Sequence, residues 1–149
     1  MAGNQAEREE LLLKINWRKR RNLLESLVLA ILFPVYLVVK IIPKNQRLLV
    51  FGSLAGEQFV DNSKYLFLHA AEAARNHRCV FISRNPEIVS FLQKNGYEAE
   101  YLYSRRGLAV AVRASRVFVT HSTDDVHRLL LGGAQVIQLW HGTPIKKIG

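Results

Sequence analysis

Cysteine is nearly missing from this sequence: Cys79 stands alone among 149 residues. One thiol excludes an internal disulfide and agrees with a reducing compartment. Acidic residues are also scarce, 12 against 21 lysines and arginines, which leaves a formal net charge of +9. The imbalance is not confined to one end. Residues 1–47 carry nine basic and four acidic groups, and residues 48–149 carry twelve and eight. Such a balance suits an anionic partner, a membrane surface or a polyphosphate, against the plain alternative of a solvated basic surface. No internal repeat, zinc spacing, Gly-x-Gly-x-x-Gly or P-loop occurs. Nor does any recognition motif or aromatic interleaving accompany the basic residues, so nucleic acid is not expected as a partner. No metal or other cofactor is expected either. The length allows one domain with a real core rather than two, and 49% hydrophobic with 22% charged residues is a globular composition.

An apolar run long enough to cross a bilayer without strain is lacking too. The charge-free stretch is Ser26–Val39, short of the roughly 20 residues that spanning takes. No small-x-small site follows it, which disfavours a cleaved leader. Arg18-Lys19-Arg20-Arg21 beside Trp17 precede the run, and Lys40, Lys44 and Arg47 follow it. Residues 1–46 are therefore expected to form a basic, apolar, membrane-associating helical segment, kinked near Pro34. It would sit peripherally or monotopically on an anionic membrane surface with both ends on the cytoplasmic face. A buried core helix is the alternative.

From Arg47 onward, strands and helices alternate. The pattern predicts strands over Arg47–Phe51, Arg78–Ser83, Tyr97–Tyr103, Arg116–Thr120 and Gln135–Leu139. Helices are predicted from Asp61-Asn62-Ser63 to about Asn76, from Asn85-Pro86 to Asn95, over Ser104–Ala114 and over Asp124–Leu131. Alternation at these lengths implies βαβ units and a doubly wound parallel α/β sheet across residues 47–149.

What interrupts the pattern is the end of the chain. After the last strand come Trp140, His141, Gly142, Thr143, Pro144, Ile145, Lys146 and Lys147. In open α/β sheets ligands bind beyond the carboxyl ends of the strands. His141 suits a general base near neutral pH. Gly142 would let a substrate approach the backbone, Thr143 can donate to a phosphate oxygen, and Lys146 and Lys147 supply positive charge. A strand-to-helix turn with a structural histidine and solvated lysines fits the same residues. Gly52-Ser53 ends the first strand as phosphate loops do, and Thr120-His121-Ser122 ends the fourth on the same edge as His141. Gly52, Ser53 and His121 are thus candidate cleft lining. His121, Asp124 and His127 have spacings of three and three, which scatter around a helix instead of converging on a metal.

Val136 to Gly149 closely resembles the signature of the CDP-glycerol glycerophosphotransferases, the membrane-associated enzymes that prime or polymerise teichoic acids. Val50-Phe51-Gly52-Ser53 and Asp61-Asn62-Ser63-Lys64-Tyr65-Leu66 are also similar to the family. The resemblance implies the N-terminal half of a GT-B arrangement, a Rossmann-like domain that receives the acceptor. Its partner domain would bind the donor, CDP-glycerol. It implies His141 as catalytic base, Gly142 and Thr143 at phosphate, and Lys146 and Lys147 drawing in an anionic, lipid-linked glycerol-phosphate or ribitol-phosphate acceptor. The chain stops at Gly149, so a fragment truncated before the donor-binding domain, inactive alone, is expected. Two rivals remain at this point: a GT-B glycosyltransferase with another nucleotide donor, and a non-catalytic membrane-bound module that binds an anionic polymer or a partner.

Overall fold

The computed structural model describes residues 26, 30 and 32–140. The chain divides into two compact units, Met1–Val35 and Tyr36–Gly149. Residues 32–41 are helical (α1). Among the described residues no helix is long and apolar enough to cross a membrane.

Five strands make one sheet: β1 (Asn45–Phe51), β2 (Arg78–Ser83), β3 (Ala99–Tyr101), β4 (Ala114–Val119) and β5 (Gln135–Gln138). Their order is β3-β2-β1-β4-β5 and every pairing is parallel. The connections carry α2 (Asp61–Ala73), α3 (Pro86–Lys94) and α4 (Arg105–Arg113). The α/β class and the parallel sheet agree with the sequence pattern. Because the chain winds outward from β1 in both directions, the strand order reverses between β1 and β4. In open α/β sheets the carboxyl edge at such a switch point is where ligands bind.

Both faces of the sheet are covered, so its strands alternate between two cores rather than between core and water. Leu48, Val50, Val80, Ile82, Val117 and Val119 join Leu102, Val110 and Ala111 in one core, under α4. Leu49, Phe51, Cys79 and Phe81 join Phe67, Val89 and Leu92 in the other, under α2 and α3. The second is built of rings. Phe51 stacks on Phe118 at 4.7 Å between centroids, while Phe67 meets Phe51 and Phe81 edge-on at 5.4 and 5.5 Å. Edge-to-face and offset geometry suits the ring quadrupole.

Helix ends follow the sequence in two cases. Asn85 accepts from the Glu87 amide at 2.9 Å with Pro86 at the first turn, and Ser104 accepts from the Gly107 amide at 2.9 Å. Three expectations need correction. Helix α2 is preceded by Val60 without a side-chain cap, and Asn62 turns instead to a distant strand. The third strand is only Ala99–Tyr101, because its neighbour β2 offers partners to those three residues alone. The helix expected over Asp124–Leu131 is two 3-10 turns, Thr123–Asp125 and Arg128–Leu130, separated by Val126 and an extended His127. Asp125, turned inward, breaks it.

Helix α1 meets the start of β5 at a glycine pair. A Cβ at Gly132 would lie 2.9 Å from the Tyr36 carbonyl oxygen, closer than Cβ atoms come, and a tight 3.1 Å from the Lys40 nitrogen. Lys44 adds a tie, donating to the Val112 carbonyl at 2.6 Å in the last turn of α4. A cation there complements the helix dipole, and burial lowers its pKa.

Phe67 is fully buried at the centre of the ring cluster. Phe67→Ala is expected to cost about 3–5 kcal/mol, read as a lowered denaturant midpoint at unchanged slope. A loss below about 1 kcal/mol would show that the cluster collapses to fill the space and is not held rigid.

Candidate functional site

Three strand ends meet at the carboxyl edge beside the switch point: β1 into Gly52-Ser53, β4 into Thr120-His121, and β5 into Leu139-Trp140. Each is held by the others. The Gly52 amide donates to the Phe118 carbonyl at 3.0 Å. A Cβ at Gly52 would stand 2.5 Å from the Asp125 carbonyl oxygen and 2.8 Å from Val126 Cγ2, so only glycine fits. Ser53 is fully buried; its hydroxyl donates to the Gln58 carbonyl and accepts from the Val60 amide. Its role is thus to close the loop, and the hydroxyl is engaged inside it.

The loop after β1 takes an unusual course. Leu54, Ala55 and Gly56 have φ of 42°, 54° and 78°, left-handed in succession. Non-glycine residues there carry strain and persist only when their surroundings hold them. Here Asp125 Oδ1 accepts from the Ala55 amide at 2.8 Å, and the Gly56 carbonyl accepts from the Arg84 amide and the Ser83 hydroxyl, both at 2.7 Å.

Asp125 is 1% exposed. Besides Ala55 it binds the end of β4: Oδ2 accepts from the Thr120 amide at 2.7 Å, the Thr120 hydroxyl at 3.0 Å and the His121 amide at 2.9 Å. Burial pushes its pKa up, but donation from His121, Ala55 and Thr120 outweighs burial, and the carboxyl group lies below its ordinary range. One buried carboxylate therefore clasps β1's loop to β4's end across the switch point.

The end of β5 is fixed from both sides. Leu139's amide donates to the Val119 carbonyl at 2.8 Å and Gln138 Nε2 to the His121 carbonyl at 2.9 Å. From α2, Asn62 Nδ2 donates to the carbonyls of Leu139 and Trp140, each at 3.1 Å. Trp140 is 54% exposed with φ of 64°, so the backbone leaves the strand in a left-handed turn. His141, Gly142, Thr143, Lys146 and Lys147, the residues on which the sequence reading centred, lie outside the described residues. The structure delivers the chain to the residue before them.

His121, Asp124 and His127 go separate ways. His121 Nδ1 is 3.0 Å from the Thr120 hydroxyl, Asp124 pairs with Arg128 at 2.9 Å, and burial and the neighbouring Arg84 lower the pKa of His127. Among the described residues no three such side chains gather as a metal site would require. Arg84 Nη2 reaches under the loop to the carbonyls of Asp124 and Val126, at 3.2 and 3.4 Å. Sequence reasoning passed over Asp125 and the side chain of Gln138. Asp125 sits in Ser-Thr-Asp-Asp, which reads as a helix start and gives no hint of an inward carboxylate. The Asn62 signal was present, as a capping residue, and pointed to the wrong partner.

The sequence model of the CDP-glycerol:poly(glycerophosphate) glycerophosphotransferase family matches residues 34–149. The chain is 24% identical over 132 residues to the teichoic acid poly(glycerol phosphate) polymerase of Bacillus spizizenii, covering 83% of this chain and 31% of that one. It is 22% identical over 108 residues to the protein of the same name from Staphylococcus epidermidis, covering 68% and 14%. Among solved structures, the wall teichoic acid polymerase TagF superposes with a TM-score of 0.53 at 19% identity, covering 87% of this chain and 32% of that one. A TagF variant soaked with CDPG superposes with a TM-score of 0.52 at 18% identity, covering 86% and 32%. The chain thus spans less than a third of the length of either curated relative.

Asp125→Asn replaces an acceptor-only group with one whose NH2 faces donors, and a loss of roughly 3 kcal/mol at neutral pH is expected. A carboxylate with a lowered folded pKa contributes fully above its unfolded value, near pH 4, and that contribution is lost as pH falls through the folded value. Wild type and Asp125→Asn should therefore converge in stability as pH drops below about 4. Denaturation series at pH 7 and pH 3 check this, and an equal gap at both would refute it.

Proposed function

Because the chain belongs to the CDP-glycerol:poly(glycerophosphate) glycerophosphotransferase family, we propose that it is the acceptor-side, GT-B-like part of such an enzyme. The reaction moves glycerol phosphate from CDP-glycerol to a membrane-linked glycerol-phosphate or ribitol-phosphate chain. A single observation carries the reading. Val119, His121 and Asn62 fix the segment Gln138–Trp140 at the carboxyl edge of the sheet, directly before His141-Gly142-Thr143. A general base is useful only where its approach is fixed, and rigid strand ends fix it.

In this reading His141 takes the proton from the terminal hydroxyl of the acceptor. That oxygen forms a bond to the β-phosphorus of CDP-glycerol while the bond from phosphorus to the bridging oxygen breaks. CMP leaves with that oxygen. Such transfer depends on alignment and on charge placed around the phosphoryl group, which Gly142, Thr143, Lys146 and Lys147 would supply on this side. The donor would be held by residues beyond this chain. The balance needs no cofactor.

Residues 1–46 are proposed as the membrane-facing segment, acting at the cytoplasmic face. Phe33, Val35, Leu37, Val38 and Ile41 are exposed, Ile41 by 79%, among the basic groups of Lys40 and Arg47. Apolar side chains flanked by cations suit the boundary between headgroups and acyl chains of an anionic bilayer.

Two measurements check these statements. In the full-length protein, His141→Ala should lower CMP release from CDP-glycerol by about 10²–10⁴-fold with an unchanged thermal midpoint; a wild-type rate would refute the base. Ile41→Glu should weaken sedimentation of the chain with phosphatidylglycerol vesicles and leave its denaturant midpoint alone. Equal sedimentation of variant and wild type would remove α1 from the membrane contact.

A further inference from the structure

All five strands run parallel, so they begin on one edge of the sheet, opposite the edge that leads to His141. That amino edge is basic. Arg47 lies near the start of β1, Arg75 stands in the turn before β2, Arg78 opens β2, and Arg113 closes α4 immediately ahead of β4. Two acidic side chains there are already engaged: Glu98 accepts from Arg78 Nε at 2.8 Å, and Glu72 from the Tyr97 hydroxyl at 3.1 Å. A surface with more cations than carboxylates to answer them holds a positive potential that draws anions.

On this edge the field meets a cavity. At its start β1 bulges, because the step from Asn45 to Leu49 is matched on β4 only by the step from Ala114 to Arg116. Between the starts of β1 and β2 and the last turns of α4 lies a cavity of about 180 Å³, lined by Asn45, Leu48, Arg78, Ala109, Val110 and Arg113. Three of these side chains have donors to spare. Among the described residues, none accepts from Asn45 Nδ2, from Arg78 Nη1 or from the Arg113 guanidinium. Glu98 offsets the charge of Arg78 and also sets its orientation. Arg113, which is exposed, therefore supplies the attraction, and Arg78 supplies a second fork held in place.

We propose that this cavity binds a phosphate group, as a monoester or a diester. A phosphate presents more acceptor oxygens than a carboxylate, enough to meet two separate guanidinium forks and the Asn45 amide. Leu48 and Val110 give the carbons of an ester an apolar floor. The seven residues of β1 separate the cavity from Gly52 on the opposite edge, roughly 20 Å at the rise of an extended chain. The site is thus distinct from the place of the proposed transfer and does not depend on that reaction. A phosphate of this kind comes either from a lipid headgroup at a membrane surface or from a free phosphoester.

Proton–nitrogen spectra of the ¹⁵N-labelled chain test the site with two probes, inorganic phosphate and deacylated phosphatidylglycerol. The amides of Asn45, Arg78 and Ala109 are expected to shift together along one saturating curve with at least one of them. Arg113→Gln removes a charge and no described bond, and should weaken that binding about 10-fold, or about 1.4 kcal/mol. Arg105→Gln, the same change of charge at the other end of α4, should leave it unaltered. Ala109→Glu sets a carboxylate in the cavity and should abolish binding, with the chain still folded by its denaturant midpoint. Sedimentation with phosphatidylglycerol vesicles then separates the sources. A loss in Arg113→Gln but not in Arg105→Gln assigns a lipid headgroup, and no difference between the two assigns a free phosphoester. No saturable shift with either probe, equal weakening by Arg113→Gln and Arg105→Gln, or full affinity in Ala109→Glu would each overturn the proposal. None of these readouts needs turnover, so absence of CMP release by the full-length protein would count against the transferase reading alone.

Discussion

The carboxylate of Asp125 is the constraint on which the edge of this sheet depends. Parallel strands are held along their length by backbone ladders, but those ladders end where the strands end. Beyond them, the loop after β1 runs through three left-handed residues, and the chain after β4 must turn back at once. Neither course is favourable alone. Four donors from the two segments converge on one buried anion, and charge-assisted bonds of this kind are roughly twice as strong as neutral ones. The strain in one loop and the turn in the other are thereby held by the same group.

The rest of the edge is organised around that clasp. Gly52 has no side chain because the Asp125 backbone occupies its space, and Arg84 lies under the loop with its guanidinium on the carbonyls around Asp125. β5 pairs with β4, and its exit is tied to the His121 carbonyl and to Asn62 of α2. Loops that carry chemistry are usually the mobile part of a fold. Here the approach to residues 141–149 is bonded from two neighbouring elements, β4 and α2.

Much of the fold was legible because its signals are local. Val-Phe-Val in β4, Asn85-Pro86 and Ser104 each state a conformation within a few residues, and the alternation of strands and helices implied the parallel sheet. What was not legible came from distant contacts. Asp61-Asn62-Ser63 has the composition of a cap, yet Asn62 is used by β5, 77 residues away. Asp124 to Leu131 has helical periodicity, and the pull of Asp125 toward Ala55, 70 residues away, breaks it. Ser53, a candidate for lining the cleft, bonds through its hydroxyl to Gln58 and Val60, partners that its neighbours in sequence do not announce. The strand ends were found from the pattern, whereas the hydrogen-bond network that joins them has no signature in one dimension.

The contact of α1 with Gly132 links two parts of the chain that the sequence keeps far apart. Tyr36 and Lys40 lie against the turn that opens β5 with no side chain between, and Lys44 fastens the same region to α4. Close-packed backbone has little compressibility. A side chain at position 132 would therefore have to push the Tyr36–Lys40 turn away before β5 could take its place beside β4, so the start of the last strand depends on a residue that contributes only its absence of bulk.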